Sequence, residues 1–343
     1  MTSVRPYRAT DMAAWDRYVL AQPRATFFHQ TGWKRVIERT FGFEPRYLVA
    51  ERDGAVAGVL PLFGCRSLRG SLGIYSLPHT VYGGPVADDE DSERALLDAA
   101  RAIALRAGAK TIELRNRHAT HLPLPRLPGF VTFEKELPAR AEDVYRTFPK
   151  KAREALNQAT KKHRLEADFH GDPDVFYDLL ARSYRNLGTP VFPKSFFEAM
   201  CREFPESASI LLVRHDGRPV AGVLSMAFRD LMMPLYSGEA DDASHLRPNN
   251  FKYFRLMEHA VELGLKRFDF GRSRAKNEGV VQFKLNQGFP MEELPYQIDV
   301  LGGRGGAAPD PQSGAFRIVR RLWSRLPHRI AARLGPRLVR YFP

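Results

Sequence analysis

Residues 46–63 read RYLVAERDGAVAGVLPLF, and residues 210–228 read ILLVRHDGRPVAGVLSMAF. Each stretch has an apolar run, an Asp-Gly pair and a second apolar run with Ala-Gly-Val-Leu. Asp-Gly between two such runs predicts a β-hairpin, because glycine supplies the positive φ of a tight turn. Gly54 and Gly217 lie 163 positions apart, and we interpret the two hairpins as copies of one unit.

A second pair of similar segments lies downstream. Residues 96–115 (LLDAARAIALRAGAKTIELR) and 254–273 (FRLMEHAVELGLKRFDFGRS) have apolar residues at helical spacing, then Gly108 or Gly264, then a strand pattern. These two glycines are 156 positions apart, close to the first offset. Chance similarity between two common hairpin–helix units is the alternative, but two ordered matches at nearly one offset favour duplication.

The repeats predict an α/β (α+β) protein with two similar domains and a tail. Residues 122–127 (LPLPRL) are proline-rich and do not suit a helix interior, so the domains are predicted at 1–135 and 136–300. Residues 301–343 are predicted to contain a Gly- and Pro-rich linker, 302–314, and an arginine-rich amphipathic tail.

The composition fits two domains of about 150 residues each. Of the 343 residues, 44% are hydrophobic and 27% are charged, which excludes a disordered chain, a collagen-like fibre and a bundle of membrane helices. The first fifteen residues have no apolar run, so we expect no secretory signal and a cytoplasmic location. Cys65 and Cys201 lie far apart, and neither a disulfide framework nor a metal site is expected.

The net charge of +13 is unevenly distributed. Residues 304–343 contain nine arginines and one acid, Asp310, and so carry +8, which leaves +5 for the rest of the chain. In residues 316–326 (FRIVRRLWSRL) the apolar side chains fall near one helical face. This pattern predicts that 316–343 lies on the anionic inner surface of a membrane. The alternative is a helix packed on the protein body with solvated arginines.

The sequence predicts no sequence-specific contact with a nucleic acid. The sequence has no helix-turn-helix, RNA-recognition or zinc pattern, so no DNA partner is expected. A contact with tRNA would rest on charge alone.

Six segments, taken in order, resemble the FemAB family, and together they span nearly the whole chain. They are FHQTGW (28–33), SLPHTVYGGP (76–85), FPKKAREALNQATKKHRLEA (148–167), LGTPVFPKSFF (187–197), FDFGRS (268–273) and VQFKLNQGF (281–289). These segments and the tail are most similar to the branch of FemAB-like proteins associated with exosortase (PEP-CTERM) and exopolysaccharide loci. The resemblance implies tandem GNAT (acyl-CoA N-acyltransferase-like) domains.

The resemblance also implies an activity. FemAB-type enzymes transfer an aminoacyl group from aminoacyl-tRNA to an amine of a peptidoglycan precursor, and relatives use other donors and acceptors. The implied function is amide formation on a phosphorylated, nucleotide- or lipid-linked sugar or peptide of the cell envelope or an exopolysaccharide. The donor stays open between aminoacyl-tRNA and acyl-CoA, with no bound cofactor. The alternative is a non-catalytic double-GNAT module that binds such a precursor or an assembly partner.

The resemblance places Phe283 and Lys284 at the donor end of a reaction centre. Lys284 would donate a hydrogen bond to the ester carbonyl or to its leaving oxygen, and Phe283 would contact substrate. We expect the apolar run around Lys284 to form a strand. The alternative is an edge-strand lysine whose ammonium group reaches solvent.

The segment FDFGRS supplies a second set of candidates. Strand alternation would place Asp269 on the face opposite Phe268 and Phe270, where it could orient or deprotonate the amine as a catalytic residue. Arg272 and Ser273 are candidate substrate contacts, since the planar fork of arginine suits a phosphate or carboxylate. The alternatives are a structural ion pair between Asp269 and Arg272 and proton transfer assisted by the substrate.

Lys150, Lys151 and Arg153 open a predicted helix and are candidate contacts for a diphosphate on the acceptor. A second basic cluster, 161–164, lies at the far end of that helix and complements its dipole, with ligand contact as the alternative.

Two further segments bear on substrate binding. Tyr82, in the Tyr-Gly-Gly segment, is a substrate contact by resemblance, and a simple turn is the alternative. CoA-dependent GNAT enzymes have a Gly-rich loop after a central strand. The nearest stretch, 66–73 (RSLRGSLG), fits that loop poorly, which disfavours acyl-CoA as the donor.

Overall fold

The computed structural model describes residues 2–302 and 314–343. Residue contacts divide the chain into two compact units. Of the described residues, the first unit contains 2–130, 294–302 and 340–343, and the second contains 131–293 and 314–339. Each unit combines β-sheets with helices, so the predicted α/β (α+β) class is confirmed.

The strands and helices are numbered in chain order. The strands are β1 Ser3–Pro6, β2 Glu44–Pro45, β3 Leu48–Arg52, β4 Ala55–Leu60, β5 Phe63–Arg66, β6 Leu72–Tyr75, β7 Val86–Ala87, β8 Thr111–Leu114, β9 Phe130–Thr132, β10 Glu134–Glu136, β11 Glu166–Asp168, β12 Ala208–His215, β13 Arg218–Phe228, β14 Leu231–Glu239, β15 Arg267–Asp269, β16 Ser273–Arg274, β17 Glu292–Glu293 and β18 Gln297–Val300. The α-helices are α1 Met12–Ala21, α2 Thr31–Phe41, α3 Glu90–Arg106, α4 Lys150–Asn157, α5 Pro173–Asn186, α6 Lys194–Glu203, α7 Pro248–Glu262, α8 Glu278–Asn286, α9 Gly314–Ser324 and α10 His328–Val339.

The first unit has two sheets, with strand orders β1-β3-β4-β7 and β18-β8-β6-β5-β2. The predicted hairpin is formed by β3 and β4, which pair antiparallel. Its turn residues, Asp53 and Gly54, have φ of 53° and 77°. Aspartate tolerates this left-handed conformation and glycine has no Cβ to oppose it. The helix predicted after the hairpin is α3, which buries Leu96, Ala100 and Ala104.

The second unit is built on a six-stranded sheet ordered β10-β15-β14-β13-β12-β11. The second predicted hairpin is formed by β12 and β13, and its Asp216-Gly217 turn has φ of 49° and 75°. The helix predicted after it is α7, which ends just before Gly264. Both units therefore contain the hairpin and the helix that the sequence repeat predicted.

Strands β14 and β15 separate soon after they meet. They run parallel, and their pairing consists of Leu231 with Arg267 and Met232 with Phe268. β14 then continues to Glu239, whereas β15 ends at Asp269. The edge of β14 that faces β15 is therefore left without a strand partner beyond Met232 in the described residues. This divergence positions the side chains of the candidate site.

The observed division of the chain differs from the predicted boundaries at 135/136 and 300/301. Strand β18 belongs to the first unit, because it pairs antiparallel with β8 and Asp299 accepts a hydrogen bond from Arg101 at 2.6 Å. Residues 294–300 of the predicted domain 136–300 therefore belong to the first unit. Long-range strand pairing of this kind leaves no local signal in the sequence.

The tail forms α9 and α10, which pack on α5 in the second unit. Trp323 and Ala331 are buried there, an arrangement that matches the alternative of a tail packed on the protein body. Residues 303–313 of the predicted linker, 302–314, lie outside the described residues, as do the side chains of 314–318, including Phe316. None of the described helices combines the length and apolar character needed to cross a bilayer.

Gly238 provides a test of how closely α5 packs on β14. A Cβ built at Gly238 would lie 2.6 Å from the carbonyl oxygen of Leu179 and would overlap the backbone of Leu180. Gly238→Ala is therefore expected to lower the free energy of unfolding by about 1–3 kcal/mol in urea denaturation. The control is Gly279→Ala in α8, where a built Cβ meets no atom within 4 Å. Equal stability of Gly238→Ala and the native protein would contradict this packing.

Candidate functional site

The segment that follows β15 is fixed by a buried carboxylate. Asp269 is fully buried, and its Oδ1 accepts hydrogen bonds from the Thr132 hydroxyl at 3.0 Å and from the Gly271 amide at 2.7 Å. Gly271 has φ of 65°, a conformation that lets the chain turn back toward the carboxylate. Asp269 therefore holds the backbone of the next two residues in place.

Lys284 lies in helix α8, and the predicted strand around it was wrong. The residue is only 7% exposed. Its ammonium group is therefore buried and does not reach solvent at a sheet edge. The apolar residues near Lys284 are helical and not extended. The face of α8 that carries Lys284 packs against the segment after β15. Nζ donates to the carbonyl oxygens of Phe270 and Gly271, both at 3.1 Å, and to Ser273 Oγ at 2.9 Å.

The surroundings of Lys284 change its protonation. Burial lowers the pKa of Lys284 to about 8, and the charge of Asp269 partly opposes this shift. The ammonium also lies 5.0 Å from the ring centroid of Phe133, an arrangement that favours the protonated form. Lys284 thus contacts Ser273 directly and lies within the electrostatic influence of Asp269.

Arg272 and Phe283 surround this group. Arg272 is half-buried. Burial raises the pKa of the Tyr236 phenol in β14 well above its usual value, and the positive charge of Arg272 opposes this shift. Phe283 is also half-buried, and its ring centroid lies 5.9 Å from that of Tyr253 and 6.5 Å from that of Phe270. The charge of Arg272 is therefore felt at Tyr236, and Phe283 packs with the aromatic rings of Tyr253 and Phe270.

A second buried lysine was not identified from the sequence. Lys252 in α7 is fully buried, and its Nζ donates to the Ser237 hydroxyl and, at 2.7 Å, to Asn249 Oδ1. Burial lowers the pKa of Lys252 to about 7, and the charge of Glu239 opposes the shift. Asn249 Nδ2 in turn donates to Glu239 Oε2 at 2.6 Å. Burial raises the pKa of the Glu239 carboxyl.

The two lysines are connected through aromatic rings. Lys252 Nζ lies 4.7 Å from the ring centroid of Tyr253, and Lys284 Nζ lies 5.4 Å from that of Phe270. The rings of Tyr253 and Phe270 meet edge to face with their centroids 4.8 Å apart. A continuous set of contacts therefore runs from the end of β14 to the start of the segment after β15.

The sequence does contain a signal for Lys252. Its position is four and eight residues before Leu256 and Ala260, both of which are buried. Residues at this spacing share one face of a helix. A lysine on an apolar helical face is unusual, and a buried lysine with shifted pKa is a candidate functional residue.

The predicted phosphate contacts lie at the start of α4. Lys150 and Lys151 are exposed, whereas Arg153 is half-buried with its guanidinium 5.9 Å from the ring centroid of Tyr145. Pro149, just before this helix, lies against Gly288, just after α8. The basic start of α4 therefore lies next to the end of the helix that carries Lys284.

A third lysine with a lowered pKa lies at this junction. Lys135 Nζ lies 4.6 Å from the ring centroids of both Phe148 and Phe289 and donates to the Thr147 hydroxyl at 3.2 Å. Burial lowers the pKa of Lys135 to about 8. Lys135 joins the residues before α4 to those after α8, and sequence analysis did not identify it either.

Tyr82 lies in the core of the first unit. It is 1% exposed, its ring packs edge to face on Phe28 with centroids 6.0 Å apart, and the Arg117 guanidinium lies 5.7 Å from its ring centroid. Gly84 has φ of 89°, and the side chain of Asn116 occupies the space where a Cβ would lie. A contact between the Tyr82 ring and a substrate would require this packing to open.

Comparisons with known proteins agree with this architecture. A family model described as an acetyltransferase (GNAT) domain matches residues 146–284. The crystal structure of FemX is similar, with a TM-score of 0.65 and 16% identity over 87% of this chain and 97% of FemX. A tandem GNAT protein from the clavulanic acid biosynthesis pathway has a TM-score of 0.55 and 11% identity over 89% of this chain and all of that chain, 100%.

A third structure widens the range of proteins with this fold. It is the C-terminal domain of a protein from Agrobacterium fabrum named as a lysylphosphatidylglycerol synthetase, with a TM-score of 0.54 and 15% identity over 86% of this chain and 93% of that domain. No curated protein sequence matches the chain. The chain has the tandem GNAT fold that the resemblance implied, and its residues 146–284 match the model of a GNAT domain.

The buried lysines predict how stability depends on pH. An unfolded lysine has a pKa of about 10.4, and burial lowers the pKa of Lys252 to about 7 in the folded protein. Between these values the unfolded chain binds more protons, so the free energy of unfolding should rise with pH from about 7 to about 10. Lys252→Met is expected to reduce this slope by up to about 1.4 kcal/mol per pH unit.

Urea denaturation across this pH range is the measurement, with Lys150→Met as the control because Lys150 is exposed. An unchanged slope in Lys252→Met would show that the ammonium group is not buried.

Proposed function

We propose that this protein is an N-acyltransferase with its reaction centre in the second unit, where β14 and β15 diverge. The observation that carries the proposal is the connected pair of buried lysines, Lys252 and Lys284. Burial lowers their pKa values to about 7 and about 8. Both protonation states are then populated near neutral pH, as general acid–base catalysis requires. The GNAT match over residues 146–284 supports the same class of reaction.

The proposed step forms an amide. The neutral amine nitrogen of the acceptor attacks the acyl carbonyl carbon, a C–N bond forms, and the C–O bond of an ester or the C–S bond of a thioester breaks. The proton released by the amine passes through the Ser237 hydroxyl to neutral Lys252. Lys284 donates a proton to the leaving oxygen or sulfur, and for this it exchanges its bond to Ser273 for one to the substrate.

The remaining site residues take positioning and binding roles in this proposal. Asp269 is fully buried and accepts hydrogen bonds from Thr132 and Gly271. Its proposed role is therefore to hold the segment after β15 in place. The proposed acceptor of the proton that the amine releases is Lys252. Phe283 bounds the site through its aromatic contacts. Arg272 supplies positive charge beside β14 for a phosphate or carboxylate of the substrate.

The loop between β14 and α7 bears on the acyl donor. Residues 240–247 contain no glycine. In CoA-dependent GNAT enzymes the amides of a Gly-rich loop bind the pyrophosphate of the donor, and the loop between β14 and α7 has no glycine to bring its backbone that close. The stretch 66–73 includes the turn of the β5–β6 hairpin and is not a strand-to-helix connection. These features favour aminoacyl-tRNA over acyl-CoA as the donor.

The proposed acceptor is a nucleotide- or lipid-linked amino sugar or peptide of the cell envelope or an exopolysaccharide. The exposed Lys150 and Lys151 at the start of α4, with Arg153, would contact its diphosphate. The segments shared with the exosortase-associated branch of FemAB-like proteins support this class of substrate. The reaction would take place in the cytoplasm or at the inner face of the membrane, where such precursors are assembled.

One observation favours a second candidate function, a non-catalytic module that binds the same precursors. All three protons of Lys284 already have acceptors within the protein, as in a lysine that serves only to fix the backbone. The two functions differ in whether any precursor is chemically changed.

Mass spectrometry of nucleotide- and lipid-linked precursors from a deletion strain separates the two functions. The acyltransferase predicts that one precursor loses the mass of an acyl or aminoacyl group in the deletion strain and regains it when the gene is restored. An unchanged set of precursor masses would favour the binding module.

Variants test the assignment of the proton to Lys252. With radiolabelled aminoacyl-tRNA or acyl-CoA as separate donors and extracted precursors as acceptors, Lys252→Met is expected to lower the transfer rate by about 10²-fold or more. In the native protein the rate should fall about tenfold per pH unit below pH 7, where Lys252 is protonated.

The control is Lys110→Met, since Lys110 is exposed in the first unit, and it should retain the native rate. A native pH profile in Lys252→Met would remove Lys252 from the proton path.

A further inference from the structure

Helix α10 is docked through small residues. Ala331, Gly335 and Val339, spaced four residues apart on one face, are buried. A Cβ built at Gly335 would lie 2.8 Å from the backbone nitrogen of Val191, so the helix backbone lies directly against the segment before α6. A side chain at position 335 would not fit on the docked face unless the backbone at Val191 moved.

Larger side chains of α10 lie outside its docked face. Ile330 and Leu334 are 45% and 38% exposed, and Arg329, Arg333 and Arg337 are exposed beside them. A helix at the surface of a globular protein usually turns its large apolar residues inward. In α10 the small residues face the protein, and Ile330 and Leu334 remain partly exposed on the flank of the helix.

Helix α9 shows the same combination of outward apolar and basic side chains. Val319 and Leu322 are 57% and 60% exposed, while Trp323 is buried with 8% exposed. Arg321 and Arg325 are exposed. Burial of Trp323 attaches this helix to the protein and leaves its other apolar residues outside.

The charged side chains that the two tail helices contribute are all basic. Residues 319–339 contain six arginines and no aspartate or glutamate. We call the exposed apolar residues Val319, Leu322, Ile330 and Leu334, together with the arginines around them, the basic tail surface. A partner of this surface must offer negative charge and an apolar phase at the same time.

We propose that the basic tail surface binds the face of a lipid bilayer that contains anionic lipids. A bilayer supplies both requirements, because headgroup phosphates meet the arginines and the acyl boundary receives the isoleucine, leucine and valine side chains. A nucleic acid would contact the arginines but would leave the exposed apolar residues in water. This proposal does not depend on the proposed acyl transfer.

The test is sedimentation of the full-length protein with vesicles. Vesicles of equimolar phosphatidylglycerol and phosphatidylcholine should bind the protein, with binding that weakens as salt increases, whereas vesicles of phosphatidylcholine alone should bind little. The triple variant Arg329→Gln/Arg333→Gln/Arg337→Gln should weaken binding by about fivefold per arginine, on the order of a hundredfold in all. The double variant Ile330→Ser/Leu334→Ser should weaken it about tenfold.

Matched controls carry the same chemical changes elsewhere. Arg17→Gln/Arg69→Gln/Arg94→Gln removes three exposed arginines from the first unit, and Leu68→Ser/Leu105→Ser removes two leucines that are 67% and 62% exposed. Both controls should bind vesicles as the native protein does. All these substitutions are at exposed positions, and unchanged thermal unfolding confirms that each variant is folded.

Several outcomes would overturn the proposal. These are equal binding to anionic and neutral vesicles, equal weakening by the control and tail variants, or absence of vesicle binding. A fourth is that the arginine variant loses binding to total tRNA but keeps its binding to vesicles, which would assign the surface to RNA.

Discussion

Three buried acceptor atoms after β15 require hydrogen-bond donors, and Lys284 provides them. Because β14 has already separated from β15, it cannot pair with the carbonyl groups of Phe270 and Gly271. An unpaired buried carbonyl costs about 1–3 kcal/mol. A lysine ammonium can serve three acceptors at once, and α8 places one there. The position of α8 meets this requirement, and the burial that it imposes on Lys284 lowers the pKa of that side chain.

The features that could be predicted from the sequence are those encoded locally. The two hairpins follow from Asp53-Gly54 and Asp216-Gly217, because the chemistry of an Asp-Gly turn needs no distant partner. The ends of α3 and α7 follow from the nearby glycines for the same reason. The helix around Lys284 could not be predicted from the local sequence, because the valines and phenylalanine around Lys284 suit a strand as well as a helix. The contacts of Lys284 with Phe270 and Gly271 favour the helix.

The site was predicted in part for a similar reason. FDFGRS and VQFKLNQGF supplied Asp269, Ser273 and Lys284 through family resemblance, and the structure brings these three residues together. Lys252 was missed because its partners, Ser237 and Glu239, come from a different strand, and only the fold brings them to the same point. Its place on an apolar helical face was visible in the sequence, but its meaning depended on that distant strand.

The return of β18 to the first unit has a consequence for the order of events during synthesis. The ribosome completes residues 1–130 early, but the edge strand of their five-stranded sheet is not made until residue 300. At about 5–20 residues per second, roughly 10–30 s separate the two points. During that interval β8 has an open edge, while the complete strands of the second unit's main sheet emerge from the ribosome. The nascent chain thus keeps an unpaired strand available until its proper partner, β18, arrives.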